Sequence, residues 1–390
     1  MDARTRRYLR GRFGDHYRKT TVTPPPEPHE REWGYIPWDS GGTTMVRHNS
    51  WLDIGDLETF LADNAPQHVY FSAGRYDDPG AGSMSKKGWR SSDLVFDLDA
   101  DHLPGVDPAE TSYADMLAEC KQALFRLLDF LEDDFGFEEL TIVFSGGRGY
   151  HVHVRDGGVK ELDRHHRREI VDYVLANDVD FDTLLQHESV AGIGLNNPTD
   201  KRTLDTSGGW SARVAARISA YVDDLLELDD DEALERLQEL DGIGQGRAEG
   251  ILNAARTNAA QIHAGNVDVH PAFLTLARSL AEKTIREETA PIDEPVTTDI
   301  NRLIRLPGSI HGGSGLAVTR IERDDIAEFD PLHDAVPRTF VGSEIQVTVD
   351  EPVTVELGGG RFTVSEGTQT VPEYVGIFLM ARGQAQKEKE

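Results

Sequence analysis

Six consecutive residues, LVFDLD at Leu94–Asp99, constrain this chain more than any other stretch. Leu94, Val95 and Phe96 are apolar or β-branched at a density that reads as a buried strand. Side chains leave a strand on alternate faces. Asp97, Asp99 and Asp101 should therefore project from one side, with Phe96, Leu98 and Ala100 on the other. Like charges at that spacing repel. Either water and salt relieve them at an exposed edge, or a cation sits among them.

The rest of the chain sets the conditions for that strand. Cys120 is the one cysteine in 390 residues, so no disulfide framework exists within the chain, as suits a reducing compartment. No apolar run approaches the ~20 residues of a membrane span. The opening MDARTRRYLRGRFG lacks the apolar centre of a signal peptide, and the expectation is a soluble cytoplasmic protein with no membrane partner. The formal charge is −29, from 69 acidic against 40 basic residues. Such a balance ordinarily opposes nucleic-acid binding. Here the acids are scattered along the chain rather than gathered in a tail. That is the surface of a protein adapted to a high-salt cytoplasm, where self-repulsion is screened. Local clusters of arginine then matter more than the total.

Residues 1–20 are basic and aromatic, and TVTPPPEPHE (21–30) cannot be helical. A helix is expected at 56–64, and core strands at 68–74 and 93–99 with a glycine-rich loop between them. Residues 113–135 carry Met116, Leu117, Cys120, Leu124, Leu127, Leu128 and Leu131 at helical spacing. LTIVFSGGRGYHVHV (140–154) reads as strand, glycine turn, strand. From 213 to 285 the pattern is helical almost throughout, which predicts an inserted helical subdomain within a main domain of residues 1–212 and 286–390. The segment 297–321 reads as a short helix bearing Ile300, Leu303 and Ile304, then a Pro-Gly turn and a strand. The last ten residues, ARGQAQKEKE, read as a frayed tail.

Three segments carry chemistry. In FDLD, carboxylates at i and i+2 reach the same side, and hard divalent cations take oxygen ligands; a solvated strand end on an acidic protein would look the same. In SGGRGYHVH, glycines let backbone N–H groups approach a phosphate, Ser145 adds a hydroxyl, Arg148 a planar fork, and His151 a further donor. An ordinary hairpin needs fewer glycines than the three that flank Arg148. In NRLIRLPGSIHGG, Arg302 and Arg305 would neighbour each other on a helix, and the turn presents Ser309 and His311.

Taken together and in this order, DLVFDLDADHLP, SGGRGYHVHV and TTDINRLIRLPGSIHGGSGL resemble the catalytic small subunit of archaeal-eukaryotic DNA primase, over about Arg31 to Leu316. The resemblance implies an α/β (α+β) primase-type fold, with a mixed sheet holding the aspartates on its face and helices around it. It implies that Asp97 and Asp99 bind metal with Asp293 as the third carboxylate, Asp299 being the alternative. It implies a triphosphate loop of Ser145, Arg148 and His151, a second phosphate segment with Arg305 and His311, and a role for Arg31 of REWGY near the nucleotide. Asp101 matches no role. The activity implied is two-metal nucleotidyl transfer with Mg²⁺ or Mn²⁺, making short primers from nucleoside triphosphates on single-stranded DNA. A primase large subunit is the implied partner in a heterodimer. An end-joining repair polymerase of the same superfamily, a nucleic-acid-binding module with a decayed site, and a metal-dependent phosphatase or nuclease are the alternatives. Relatives carry a zinc cluster after the carboxylate strand. Residues 102–120 offer only His102 and Cys120 beside acidic residues, so zinc is doubtful. LDGIGQGRAEGILNAA (240–255) resembles a helix-hairpin-helix, a motif whose backbone binds DNA phosphate; a glycine turn between packed helices is the alternative.

Overall fold

The computed structural model describes residues 1–38, 44–190 and 199–389, which form two compact units. The first comprises Met1–Phe125, Phe137–Val171 and Pro291–Glu390, and the second Arg126–Gly136 and Asp172–Ala290. The helical insertion expected at 213–285 lies inside the second unit, which begins earlier and also takes in Arg126–Gly136.

Nine strands build the two larger sheets of the first unit: β1 (Arg31–Ile36), β2 (Val46–Asn49), β3 (His68–Tyr76), β4 (Trp89–Ser92), β5 (Leu94–Asp99), β6 (Leu140–Phe144), β7 (Gly149–Val154), β8 (Leu303–Arg305) and β9 (Thr319–Ile321). One sheet runs β8-β3-β1-β2, with β4 sharing the β8 edge of β3. The other runs β9-β6-β7-β5. Every pair in both is antiparallel, which narrows the mixed sheet expected from the sequence. The sheets are joined through their facing side chains. Ala73, Val95, Ile304 and Val296 form one buried cluster, and the Phe71 ring stacks on His153 with centroids 5.9 Å apart.

The long amphipathic helix forms where its period predicts, over Tyr113–Asp129, and ends in a single π turn at Phe130–Asp134. Its apolar stripe is buried, Cys120, Leu124, Leu127 and Leu128 completely. The basic first segment is also a helix, Ala3–Tyr17, capped by Asp2 accepting from the Thr5 N–H. Tyr17, at its end, accepts from the Ile310 N–H at 3.1 Å and so fixes the helix to the Pro-Gly turn.

Two expectations need correction. Residues 301–305 are not helical. The helix Glu294–Thr298 stops at Asp299, which turns extended and accepts the Asn301 N–H at 3.0 Å, so Leu303–Arg305 instead fills the edge of β3. A three-residue segment satisfies its backbone equally well in a helix or on an open strand edge, and here the edge wins. The C-terminal residues are not frayed either. Gln386–Lys387 pairs with Thr348 and Val347, and the Lys387 N–H donates to Thr5 Oγ1 at 2.8 Å.

The second unit packs helices Gly209–Glu227, Asp230–Gln238, Gln245–His263 and Pro271–Glu288 around Val214, Ile218, Leu237, Ile251, Phe273 and Leu276. It also carries an antiparallel hairpin, Leu185–Val190 with Thr199–Leu204.

Candidate active site

β5 is an edge strand, and its alternation holds as far as Asp99. Phe96, Leu98 and Ala100 are completely buried on one face. Asp97 and Asp99 are half-buried on the other. Asp101 leaves the pattern, because Ala100–His102 turns as a 3-10 helix and Asp99 Oδ1 accepts from the Asp101 N–H at 3.2 Å.

Asp293 follows shortly after the chain returns to the first unit at Pro291, and its N–H donates to the Asp97 carbonyl at 2.9 Å. It sits at the N-cap of Glu294–Thr298, yet its carboxylate caps nothing. Burial, with the charges of Asp99 and Asp293 adding to it, pushes the Asp97 carboxyl up to about 6 against the opposing pull of Arg305. Hard oxygen donors whose charges disfavour one another fit a divalent cation. Among the described residues no group of three or more His, Cys, Asp or Glu side chains is already gathered as a metal cage. The three carboxylates are neighbours through the backbone and through their field.

Asp97 opens into a pocket of about 350 Å³ lined also by Tyr70, His151, Asp299, Arg302 and Arg305. Asp299, the alternative third carboxylate, is therefore in the pocket, with one oxygen engaged by Asn301. His151 lies opposite Asp97 in the β5–β7 pairing, its Nε2 3.4 Å from Asp97 Oδ1. Burial and the charges of Arg305 and Arg302 bring His151 down to about 3, so the imidazole is neutral. Its Nδ1 and the Nε of Arg305 are buried without a hydrogen-bond partner. Native interiors rarely leave such atoms unpaired, and both belong to side chains that line this pocket.

The glycine turn between β6 and β7 is built against the Pro-Gly segment. Gly146 has φ +74°, and a Cβ there would come within 2.7 Å of the His311 Cβ. Gly149 admits no side chain, since its Cβ would stand 1.8 Å from the Leu98 carbonyl oxygen. Ser145 Oγ accepts from the Gly147 N–H at 3.3 Å, and Ser314 Oγ donates to the Gly146 carbonyl. His311 stands against this turn, edge-on to His68 at 4.8 Å. Burial and the Arg305 charge hold both imidazoles neutral, with His68 down to about 3. Arg148 is paired with Asp101, the aspartate that matched no role.

Asp97 and Asp99 on β5 are thus joined by Asp293 through its backbone bond to Asp97, His151 and Arg305 share the Asp97 pocket, and His311 stands against the glycine turn that carries Ser145 and Arg148. Arg31 does not join them. It is completely buried, donates to the carbonyls of Pro26, Ser72 and Ala73, and meets both oxygens of Asp93 at 3.1 Å. The candidates for zinc do not fit that metal. Cys120 is completely buried, turned toward the Leu98 carbonyl at 3.7 Å, and burial pushes its thiol well up, whereas His102 is exposed. His68 and Tyr70 are residues that sequence reasoning missed. Both read only as members of a core strand, and their place beside Arg305 depends on the β3–β8 register.

Carboxylates on a sheet edge, facing arginines and uncharged imidazoles, suit a cation and a phosphorylated ligand together. A family model for the DNA primase small subunit matches residues 96–323. Over its whole length the chain is 64% identical to the DNA primase small subunit of Haloarcula marismortui and 60% identical to that of Halobacterium salinarum, with all of each relative covered. It is 39% identical to that of Methanococcoides burtonii, with 99% of both chains covered. The chain belongs to the DNA primase small-subunit family. Its relatives at 60% identity or more come from halophilic archaea, in keeping with the acidic composition.

Proposed function

We propose that the chain is the catalytic subunit of a DNA primase, a DNA-directed nucleotidyltransferase that builds short primers from nucleoside triphosphates on single-stranded DNA. The observation that carries this reading is the alignment of Asp97, His151 and Arg305 on one pocket in a member of this family. Asp97, Asp99 and Asp293 would hold Mg²⁺ or Mn²⁺, whose chemistry there is to acidify the primer 3′-hydroxyl and offset charge on the departing pyrophosphate.

The remaining work falls to the chain's own side chains. Arg305 and Arg302 neutralise and orient the triphosphate in the pocket, and Arg148 does so from the glycine turn once it exchanges Asp101 for phosphate. His151 and His311 stay uncharged across the physiological range, so they serve as hydrogen-bond donors rather than as proton carriers. Gly146 and Gly149 keep the loop thin enough for His311 and β5 to close on it. Such a site accelerates by position and charge, without a covalent intermediate.

The names of the relatives as small subunits support a heterodimer with a large subunit, and a site in the cytoplasm follows from a replication role. The test is synthesis in molar KCl on unprimed single-stranded DNA with Mg²⁺ or Mn²⁺, with and without the large subunit. Short products that disappear in Asp97→Ala support the reading. Extension of pre-annealed primers alone would replace it with a repair polymerase.

A further inference from the structure

We propose that Arg382, working beside Arg148, forms an additional phosphate-binding position on the glycine turn; this rests on the reading of that turn as a phosphate loop. Arg382 lies outside the span that matches the family model, and nothing in the sequence motifs points to it.

The argument starts from the helix Glu373–Ala381. Val375 through Met380 are buried, so the helix is fixed by its apolar body and delivers Arg382 at its C-cap. The guanidinium stacks over the Tyr113 ring at 4.5 Å and lies 5.3 Å from the Phe378 ring. Those two rings meet edge to face at 5.5 Å, making a rigid aromatic notch. Tyr113 in turn donates its hydroxyl hydrogen to the Gly147 carbonyl. One ring therefore ties the arginine to the turn that carries Arg148.

An arginine at a helix C-terminus has a bland explanation, the attraction of cation to dipole and ring. Three facts exceed it. The guanidinium makes no hydrogen bond to the last carbonyls of its helix and has no carboxylate partner among the described residues. This occurs in a chain with 69 acidic residues, where most arginines find one. Among charged residues, Arg148 opposes its charge and Asp101 favours it, and Arg148 already holds Asp101. With Asp101 already held by Arg148, the Arg382 fork is left without a carboxylate of its own, and planar forks bind phosphate oxygens bidentately. In molar salt the Debye length falls to about 3 Å, so only groups that touch the phosphate contribute. A fork held rigid by two rings is suited to that condition.

The phosphate belongs either to the incoming nucleotide or to the backbone of a bound strand, and two binding arms distinguish them. Full-length wild type, Arg382→Gln, Arg382→Lys and Arg148→Gln are titrated with ATP and, separately, with an unphosphorylated single-stranded DNA 20-mer in 1 M KCl. KM and kcat are read in parallel. Arg382→Gln is expected to weaken ATP binding about 10-fold, as loss of one charge-assisted fork would, raising KM while kcat stays within about twofold; Arg382→Lys should restore part of the loss. Loss confined to the 20-mer assigns the position to strand phosphate. If Arg382→Gln binds both probes like wild type while Arg148→Gln does not, the proposal is overturned. If Arg148→Gln also binds ATP normally, the phosphate-loop reading itself has failed. Urea unfolding of Arg382→Gln separates a purely structural arginine, which would shift the midpoint and leave ATP affinity alone.

Discussion

Replacing Arg31 by methionine separates two meanings of an arginine near a nucleotide site. The side chain is completely buried, Asp93 is 1% exposed, and the pair meets at 3.1 Å through both carboxylate oxygens. Breaking a buried pair from one side costs about 3–5 kcal/mol. Asp93 keeps Arg155 at 2.9 Å, which moves the cost toward the lower end. The carbonyls of Pro26 and Ser72 lose a donor each, at about 1 kcal/mol apiece, while Ala73 still accepts from the Asp93 N–H. A loss of about 5 kcal/mol results. With a slope of about 3 kcal/mol per molar urea, the midpoint falls by about 1.7 M. Tryptophan fluorescence reports the transition, since Trp33 is buried two residues along the same strand. ATP affinity measured well below the transition should stay within about twofold of wild type, because Arg31 is committed to the scaffold. A variant with an unchanged midpoint that no longer binds ATP would refute the reasoning and return Arg31 to the nucleotide.

Asp97→Asn should lose nucleotide incorporation by about 100-fold or more, as removal of a ligand to a catalytic cation does, and yet unfold at higher urea than wild type at pH 7. The folded carboxyl titrates at about 6 against 3.8 in the unfolded chain. Stability from this group is therefore full below 3.8 and lost as pH rises through 6, and the amide avoids that loss; a lower midpoint at pH 7 would contradict it. Gly146→Ala should raise the KM for nucleotide severalfold and cost about 1–3 kcal/mol, since φ +74° disfavours any side chain and its Cβ meets His311; wild-type KM would show that His311 does not depend on this turn. Elemental analysis should find well below one zinc per chain, because Cys120 is buried as a thiol.

Much of the fold was legible because burial writes itself into local pattern. β5, β6 and β7 are apolar runs punctuated by glycine, and the stripe Met116–Leu128 has an unambiguous helical period. The site residues on those strands were found for the same reason, since a charged residue on a buried strand is conspicuous. What escaped was decided by partners distant in sequence. Leu303–Arg305 is too short to have a period, and only the open edge of β3 makes it a strand. The same holds for Gln386–Lys387 beside Val347. Arg31 could not be told from a ligand by its neighbours REWGY, because the carboxylate that buries it is Asp93, far along the chain. Arg382 and Tyr113 meet only through the docking of a terminal helix.

The return of the chain at Pro291 also fixes a schedule of birth. Asp97 is synthesised about 200 residues before Asp293, which at 5–20 residues per second is an interval of about 10–40 s. β8 and β9 follow Asp293, so β3 throughout that interval, and β6 from the moment it is made, each have an edge awaiting its strand. Unpaired edges invite foreign partners. The helical unit, drawn mostly from the single run Asp172–Ala290, is complete by then and rich in local contacts, which favour rapid folding. A nascent chain of this kind passes through a stage with one unit finished and the other open, and its carboxylates acquire their third member only when the last sheet edges close.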